Sequence, residues 1–570
     1  MSSSALDPDL DWDDSDDTRT LLDHTAAMST KSASGAQHGT AQQRKMALVA
    51  DALEKTGMGR YQWAIFCLCG FGYTLDLMWA QAFSLIAPRI QIELGIPNAQ
   101  YGDIFSLFHA GLTIGALTWG VLVDILGRRV AFNATVGMTA VFGLVIGSLE
   151  SWTAILTVVF FVGFGLGGNI PIDATIVMEF IPKKNRYLLA ALSAFQPLGV
   201  IITALISWAL VPRYACPFST PAGSCKFTAP GAACCTKASN YGWRYAVFTL
   251  GAISLAAFVA RFFLFTFRES PRFLIAHGRD AEAVRVVHEV ASFNHLSSSL
   301  SLQQLEACDA EEFERRGSDA TLNGNGEDPV VGGRLRGGVQ GKVVDGVREA
   351  GNHLRELFDG WTMARLTVLT WVVYGADYWA FSIAGAFLPK LLAERGAAAH
   401  FSTAQTYRNY IYTSLPGLPG VALGASLIEV KALGRRWAMV ITAALMGAAM
   451  VSFVGVRSPQ AGVGFNAMEY FFQSAFNAIL YGWTPEAFPA RVRGTASGLA
   501  SCAGRLASIV SPIVAAHVLS DGKGAATAIY IGAGGAFLAS VLCVGLRETR
   551  GVEDADSGER EGDGSSVECS

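Results

Sequence analysis

The chain has 570 residues, of which 51% are hydrophobic and only 16% charged, with a formal net charge of −4 and a mean hydropathy of +0.35. Soluble domains carry about 25% charged residues, so the composition excludes a purely soluble protein. The near-balanced charge names no partner, and no nucleic acid is expected as one.

Residues 1–60 are polar and open on the acidic cluster Asp11, Asp13, Asp14, Asp16 and Asp17, which reads as a disordered cytosolic tail. Within it, Asp17-Thr-Arg-Thr-Leu21-Leu22 resembles an acidic dileucine sorting signal. The stretch is acidic rather than basic and has no apolar core, so no cleaved signal peptide is expected. Twelve apolar spans follow, each near the ~20 residues a bilayer demands. They lie near 62–85, 101–123, 130–149, 153–179, 188–211, 243–266, 363–389, 409–429, 437–457, 461–484, 494–519 and 525–546. The fourth carries the glycine cluster Gly163, Gly165, Gly167 and Gly168, then Asp173 and Glu179, and breaks at Pro182 into the basic turn Lys183, Lys184, Arg186. Small residues let helices approach closely in lipid, and an acid inside a span is a functional hypothesis by default.

Basic residues orient the chain. With the tail inside, the short inner turns hold Arg128 and Arg129, Lys183 to Arg186, Lys431 with Arg435 and Arg436, and Arg491 with Arg493. The shortest outer turns hold little beyond Arg89, Arg457 and Lys523, although the loop after span seven adds Lys390, Arg395 and Arg408. This bias places both ends in the cytosol. The outer loop 212–242 carries Cys216, Cys225, Cys234 and Cys235, candidates for disulfides with three possible pairings. A zinc site there lacks both histidine and the required spacing, so no metal or other cofactor is expected. The inner loop 267–362 contains a helical pattern over Asp280–Ala291, with Ala283, Val286, Val287 and Val290 on one face, then a Gly-rich linker at 315–345 expected to be disordered. The tail 547–570 is again acidic and polar.

The two halves repeat. Asp124-Ile-Leu-Gly127-Arg128-Arg129 is matched by Glu429 and Gly434-Arg435-Arg436, and Glu179-x-x-Pro182-x-x-x-Arg186 by Glu486-x-x-Pro489-x-x-x-Arg493. Gly434 follows Gly127 by 307 positions, and Glu486 follows Glu179 by the same 307. The expectation is an all-α membrane protein of twelve transmembrane helices in two six-helix halves, 61–266 and 363–546, with a solute site between them near the midplane.

Gly120-x-Leu122-x-Asp124-x-x-Gly127-Arg128-Arg129 resembles the signature between spans two and three of the major facilitator superfamily. Arg268-Glu-Ser-Pro271-Arg272 resembles the corresponding motif of its sugar-porter branch. Gly167-Gly168-Asn169-Ile-Pro171-Ile-Asp173 and Thr484-Pro485-Glu486-Ala-Phe-Pro489 look closest to fungal members of the synaptic-vesicle-glycoprotein-related, metabolite–proton branch. The resemblance implies alternating access, in which the turn residues Gly120, Asp124, Gly127, Arg128, Arg129, Glu179, Arg186, Glu429, Arg435, Arg436, Glu486 and Arg493 gate the cytosolic side through ion pairs that break on switching.

In proton-coupled relatives a carboxylate of span one carries the proton, and Asp76 matches it. A carboxylate in apolar surroundings exchanges protons near neutral pH; Asp173 is the second candidate. Trp79 stands where a second acid often follows, and Asn169 where phosphate-transporting relatives have aspartate, so phosphate is disfavoured as substrate. Span seven faces the cavity in this fold, which makes Asp377 with Tyr374, Tyr378 and Trp379 candidates for an organic solute. Gln196, Asn477 and Arg505 could orient it, Arg505 by pairing with the solute or with Glu469; His109 is a lesser proton candidate.

The function expected is a proton-coupled secondary transporter of a small organic solute, such as an organic acid or sugar-like metabolite, acting as a monomer in the plasma membrane or a vacuolar or endosomal membrane. Alternatives are a proton-antiport efflux pump and a transport-inactive nutrient sensor or trafficking protein. No phosphate loop and no nucleophile motif occurs, so ATP hydrolysis and an enzyme are not expected.

Overall fold

The computed structural model describes residues 40–182, 185, 188–217, 223–263, 268–322, 354–398, 401–430, 433–489, 492–520 and 525–549. The expectations for residues 1–39, for most of the 315–345 linker and for 550–570 fall outside them. In chain order the helices are α1 Ala41–Thr56, α2 Arg60–Leu94, α3 Asp103–Leu126, α4 Arg128–Ile146, α5 Trp152–Gly167 and α6 Asn169–Phe180. After the short turns Leu188–Ala191 and Leu192–Ala194 come α7 Phe195–Leu210, α8 Gly242–Phe263, α9 Pro271–Ala276, α10 Asp280–Phe293 and α11 Leu302–Leu322. The second half runs α12 Gly360–Ala398, α13 Thr403–Ser414, α14 Gly417–Glu429, α15 Gly434–Gly455, α16 Pro459–Ala487, α17 Arg493–Ser520 and α18 Ala525–Cys543. Helix covers most of the described residues in each of the twelve apolar stretches. By length and composition, nine helical stretches among the described residues can cross a membrane. Their outer faces carry apolar side chains such as Leu205, Trp208, Ile441, Leu445, Phe537 and Val541, exposed as lipid-facing residues are.

The chain divides into two compact units. The smaller holds α1 and α9–α11. Residues 1–60 are therefore not a structureless tail throughout: α1 starts at a capping box in which Thr40 and Gln43 satisfy each other's backbone donors, and it buries Val49 and Leu53. Its partners lie more than 200 residues away, and its polar composition hid it. Lys45 is buried and bonds Asp280 at 2.5 Å and Asp309 at 2.6 Å. Burial opposes its charge, but the two carboxylates outweigh that and raise its pKa, so the bridge is intact at neutral pH and fades only as pH climbs past the raised value. The helix expected at Asp280–Ala291 is α10, with Ala283, Val286, Val287 and Val290 buried. Ser270 caps α9 and Pro271 occupies its first turn, which gives the Glu269-Ser-Pro271 stretch a local structural role. Helix α11 continues to Leu322, into the stretch expected to be disordered from 315.

The larger unit contains the helices of both repeated halves, α2–α8 and α12–α18. Backbone touches backbone where glycines line the contact: a Cβ at Gly163 would lie 2.3 Å from the Phe108 carbonyl oxygen, and one at Gly167 2.3 Å from that of Leu112. Gly111 and Gly115 of α3 meet α5 the same way, as do Gly420 and Gly424 of α14 against α16. The short turns require glycine for another reason. Gly127 sits at φ 94° and Gly434 at φ 65°, conformations that side chains resist.

Near the outer end, Arg244 of α8 is fully buried and holds Glu93 of α2 at 2.7 Å, with Trp243 and Asn240 donating to the same carboxylate. Of the three possible cysteine pairings, the loop above adopts Cys216–Cys235 and Cys225–Cys234.

Candidate functional site

The turns expected to gate the cytosolic side obey the sequence repeat. Arg128 meets Glu179 at 3.4 Å in the first half, and Arg435 meets Glu486 at 2.6 Å in the second. Each partner is displaced by the same 307 positions, so one ion pair occurs twice. Both pairs join neighbouring turns within a half. Glu548 extends the second: its carboxylate accepts the backbone N–H groups of Arg435 and Arg436 at 3.0 Å each, at the N-terminus of α15, where a negative charge is favoured. Thr549 donates to Glu486. Gly120, Arg129 and Arg493 are exposed. The side chains of Asp124 and Glu429, and residue Arg186, lie outside the described residues.

At the opposite end the halves are bound to each other. Lys390 of α12 donates to Gln91 at 3.0 Å and Asn98 at 2.9 Å, and lies 4.1 Å from the centre of the Tyr101 ring. Tyr101 donates to the Ala386 carbonyl, Tyr407 to that of Leu85, Ser84 to that of Gly385, and Arg89 to the Thr403 hydroxyl. This corrects the placement of Lys390 in the loop after span seven. Helix α12 runs to Ala398, and the ammonium is buried inside the bundle, solvated by amides and a ring face. Arg395 likewise lies on α12, and Arg408 on α13.

Below this closure lies a cavity of about 830 Å³, open mouth included, lined by α2, α3, α7, α12, α13 and α16 from both halves. Its polar groups include Gln81, His109, Ser382, Asn466, Glu469 and Tyr470, set among Phe105, Phe108 and Phe381. Asp76 lies one helical turn from the lining residue Ala80 on the same face of α2, about 6 Å along the axis. It is 8% exposed, and its Oδ1 has no hydrogen-bond partner. Arg505 reaches across from α17 in the other half, donates to the Leu112 carbonyl of α3 at 2.8 Å, and is near enough for its charge to act on Asp76 and His109. The expected pairing of Arg505 with Glu469 does not form: the guanidinium is turned toward the first half and its carbonyl acceptor.

The other candidates sit elsewhere. Asp173 is fully buried on α6 against Gly72 of α2. Asp377 is fully buried and accepts from Gln473 at 3.2 Å. Tyr374 bonds Thr484 at 2.9 Å, Tyr378 bonds Tyr481 at 3.0 Å, and Trp379 packs against Gly535 of α18. These residues of span seven are not among the cavity's lining residues, which on this helix lie further along, from Phe381 to Pro389. Asn477 buries an oxygen without a partner, and Gln196 is half-buried at the start of α7. The expectation that these residues bind solute thus has no support from the cavity's lining. Sequence reasoning passed over Gln81, Asn466 and Tyr470, and gave Glu469 only as a partner for Arg505. The signal for Glu469 was present, as an acid within an apolar span.

A family model described as Major Facilitator Superfamily matches residues 63–407 and 370–568. The chain is 35% identical over 476 residues to MFS siderochrome iron transporter 1 of Ceriporiopsis subvermispora, covering 83% of this chain and 85% of that one. It is 33% identical over 517 residues to the Major facilitator-type transporter hxnZ of Emericella nidulans, covering 89% and 87%. Among solved structures it is similar to the inward-open xylose transporter XylE of E. coli, with a TM-score of 0.59 over 87% of this chain and 99% of that one; at 14% identity this likeness shows the fold.

Proposed function

Given that the chain belongs to the major facilitator superfamily and is a multi-pass membrane transporter rather than an enzyme, we propose that it couples the movement of a small organic solute to that of protons, by alternating access, in the plasma membrane. One observation carries this: Asp76, buried beside the cavity with an oxygen lacking a hydrogen-bond partner, lies within electrostatic reach of Arg505 of the opposite half. A charged Asp76 draws Arg505 toward α2. A protonated one releases it to the Leu112 carbonyl. Proton loading then alters a contact that spans the two halves, which is what coupling to a rocking motion requires. The closed outer end, pinned by Lys390, and the cavity beneath it fit the state in which solute exchanges with the cytosolic side.

Metabolite profiling of cells lacking or overexpressing the protein identifies the solute. Purified protein in vesicles then tests the coupling: a pH gradient should drive uptake above the equilibrium level, and a protonophore should abolish that excess. Uptake that is insensitive to the gradient would refute the coupling, and no flux above empty vesicles would refute transport.

A further inference from the structure

The buried acids near the cavity are not equivalent. Asp76 has Arg505 within electrostatic reach, and Asp377 has the Gln473 amide. Glu469 of α16 lines the cavity, is 4% exposed, and takes part in no hydrogen bond or ion pair among the described residues. The charge that acts on it is another carboxylate, Asp377. A buried carboxylate without a partner is costly, so the cavity asks for something that answers it.

Among the described residues no lysine or arginine lines the cavity; Lys390 is engaged by Gln91, Asn98 and the Tyr101 ring, and Arg505 by the Leu112 carbonyl. His109 is the single basic lining group among the described residues. A solute carboxylate placed there would face Glu469 with no guanidinium or ammonium to receive it. Aromatic rings from Phe105, Phe108 and Phe381 surround the same space, and ring faces attract cations and pack against apolar rings. We propose that the solute carries a positively charged nitrogen, as an aromatic amine or quaternary ammonium does, and that Glu469 is its counter-charge. The proposal rests on the transporter reading and narrows the substrate class of the same cavity.

The test uses the purified full chain in detergent and four matched probes: 2-phenylethylamine, its trimethylammonium analogue, 2-phenylethanol and 3-phenylpropionate. The two cations should stabilise the protein thermally with an apparent affinity at least about tenfold above the alcohol and the acid, about 1.4 kcal/mol. Glu469→Gln should erase that preference, and Glu469→Asp should keep part of it. Labelling of Glu469 by dicyclohexylcarbodiimide, read by mass spectrometry, needs no variant, and the cations should protect against it. The proposal is overturned if neither cation binds, if 3-phenylpropionate binds as tightly, if folded Glu469→Gln retains the preference, or if the cations leave labelling unchanged. The transporter reading fails separately, when vesicles whose protein binds a cation show no flux of it.

Discussion

At the scale of single residues, the chain places groups where ordinary chemistry would not. Gly127 ends α3 at φ 94° and ψ 159°, a region essentially confined to glycine. That bend lets Arg128 begin α4 and reach Glu179. Gly127→Ala is expected to cost about 1–3 kcal/mol, read as a lower melting temperature of the purified protein; an unchanged melting temperature would show that the turn has another way to close. The repeat spacing made these turns legible, because glycine, arginine and acid recur at one offset whatever the surrounding spans contain. Lys390 was misplaced by the same logic that placed the others. A charge at the end of an apolar run reads as loop, and only the structure shows Gln91, Asn98 and Tyr101 converging on it from the other half.

Helices show a similar division. The twelve spans are legible because a bilayer imposes length and hydropathy on each segment separately. Which face of each helix meets the cavity is not legible, since a helix that is apolar all round has no periodic signal to read. Span seven is expected to contribute Asp377, Tyr374 and Trp379, and its lining of this cavity starts one turn further along, at Phe381. The glycines of α5 fared better, because close helix contact selects small residues visibly. Gly167→Val should cost about 1–3 kcal/mol by overpacking against the Leu112 carbonyl, while Gly498→Ala, at a glycine with open space around it, should be neutral or slightly stabilising. Thermal unfolding of the two variants side by side decides this, and equal losses would contradict it. Helix α1 escaped notice because its partners are remote in sequence. Lys45→Met should remove about 1.5–3 kcal/mol from its attachment and speed hydrogen exchange across residues 41–56; exchange at the wild-type rate would mean the two carboxylates contribute nothing.

For the whole molecule, the arrangement is a division of labour between the two ends of a bundle and its middle. The end bearing the disulfide loop is locked by bonds that pass from one half to the other. The end bearing the arginine turns holds ion pairs that stay within each half, built twice from one pattern. Between them, Asp76 of one half and Arg505 of the other lie within electrostatic reach, Asp76 beside a cavity shared by both halves. Such a molecule can transmit a change of charge at its middle to the fit of its halves. Asp76→Asn in vesicles, with an imposed pH gradient, tests this most directly. The account predicts that the variant still exchanges labelled for unlabelled solute but no longer concentrates it. A variant that concentrates solute as the wild type does would contradict it.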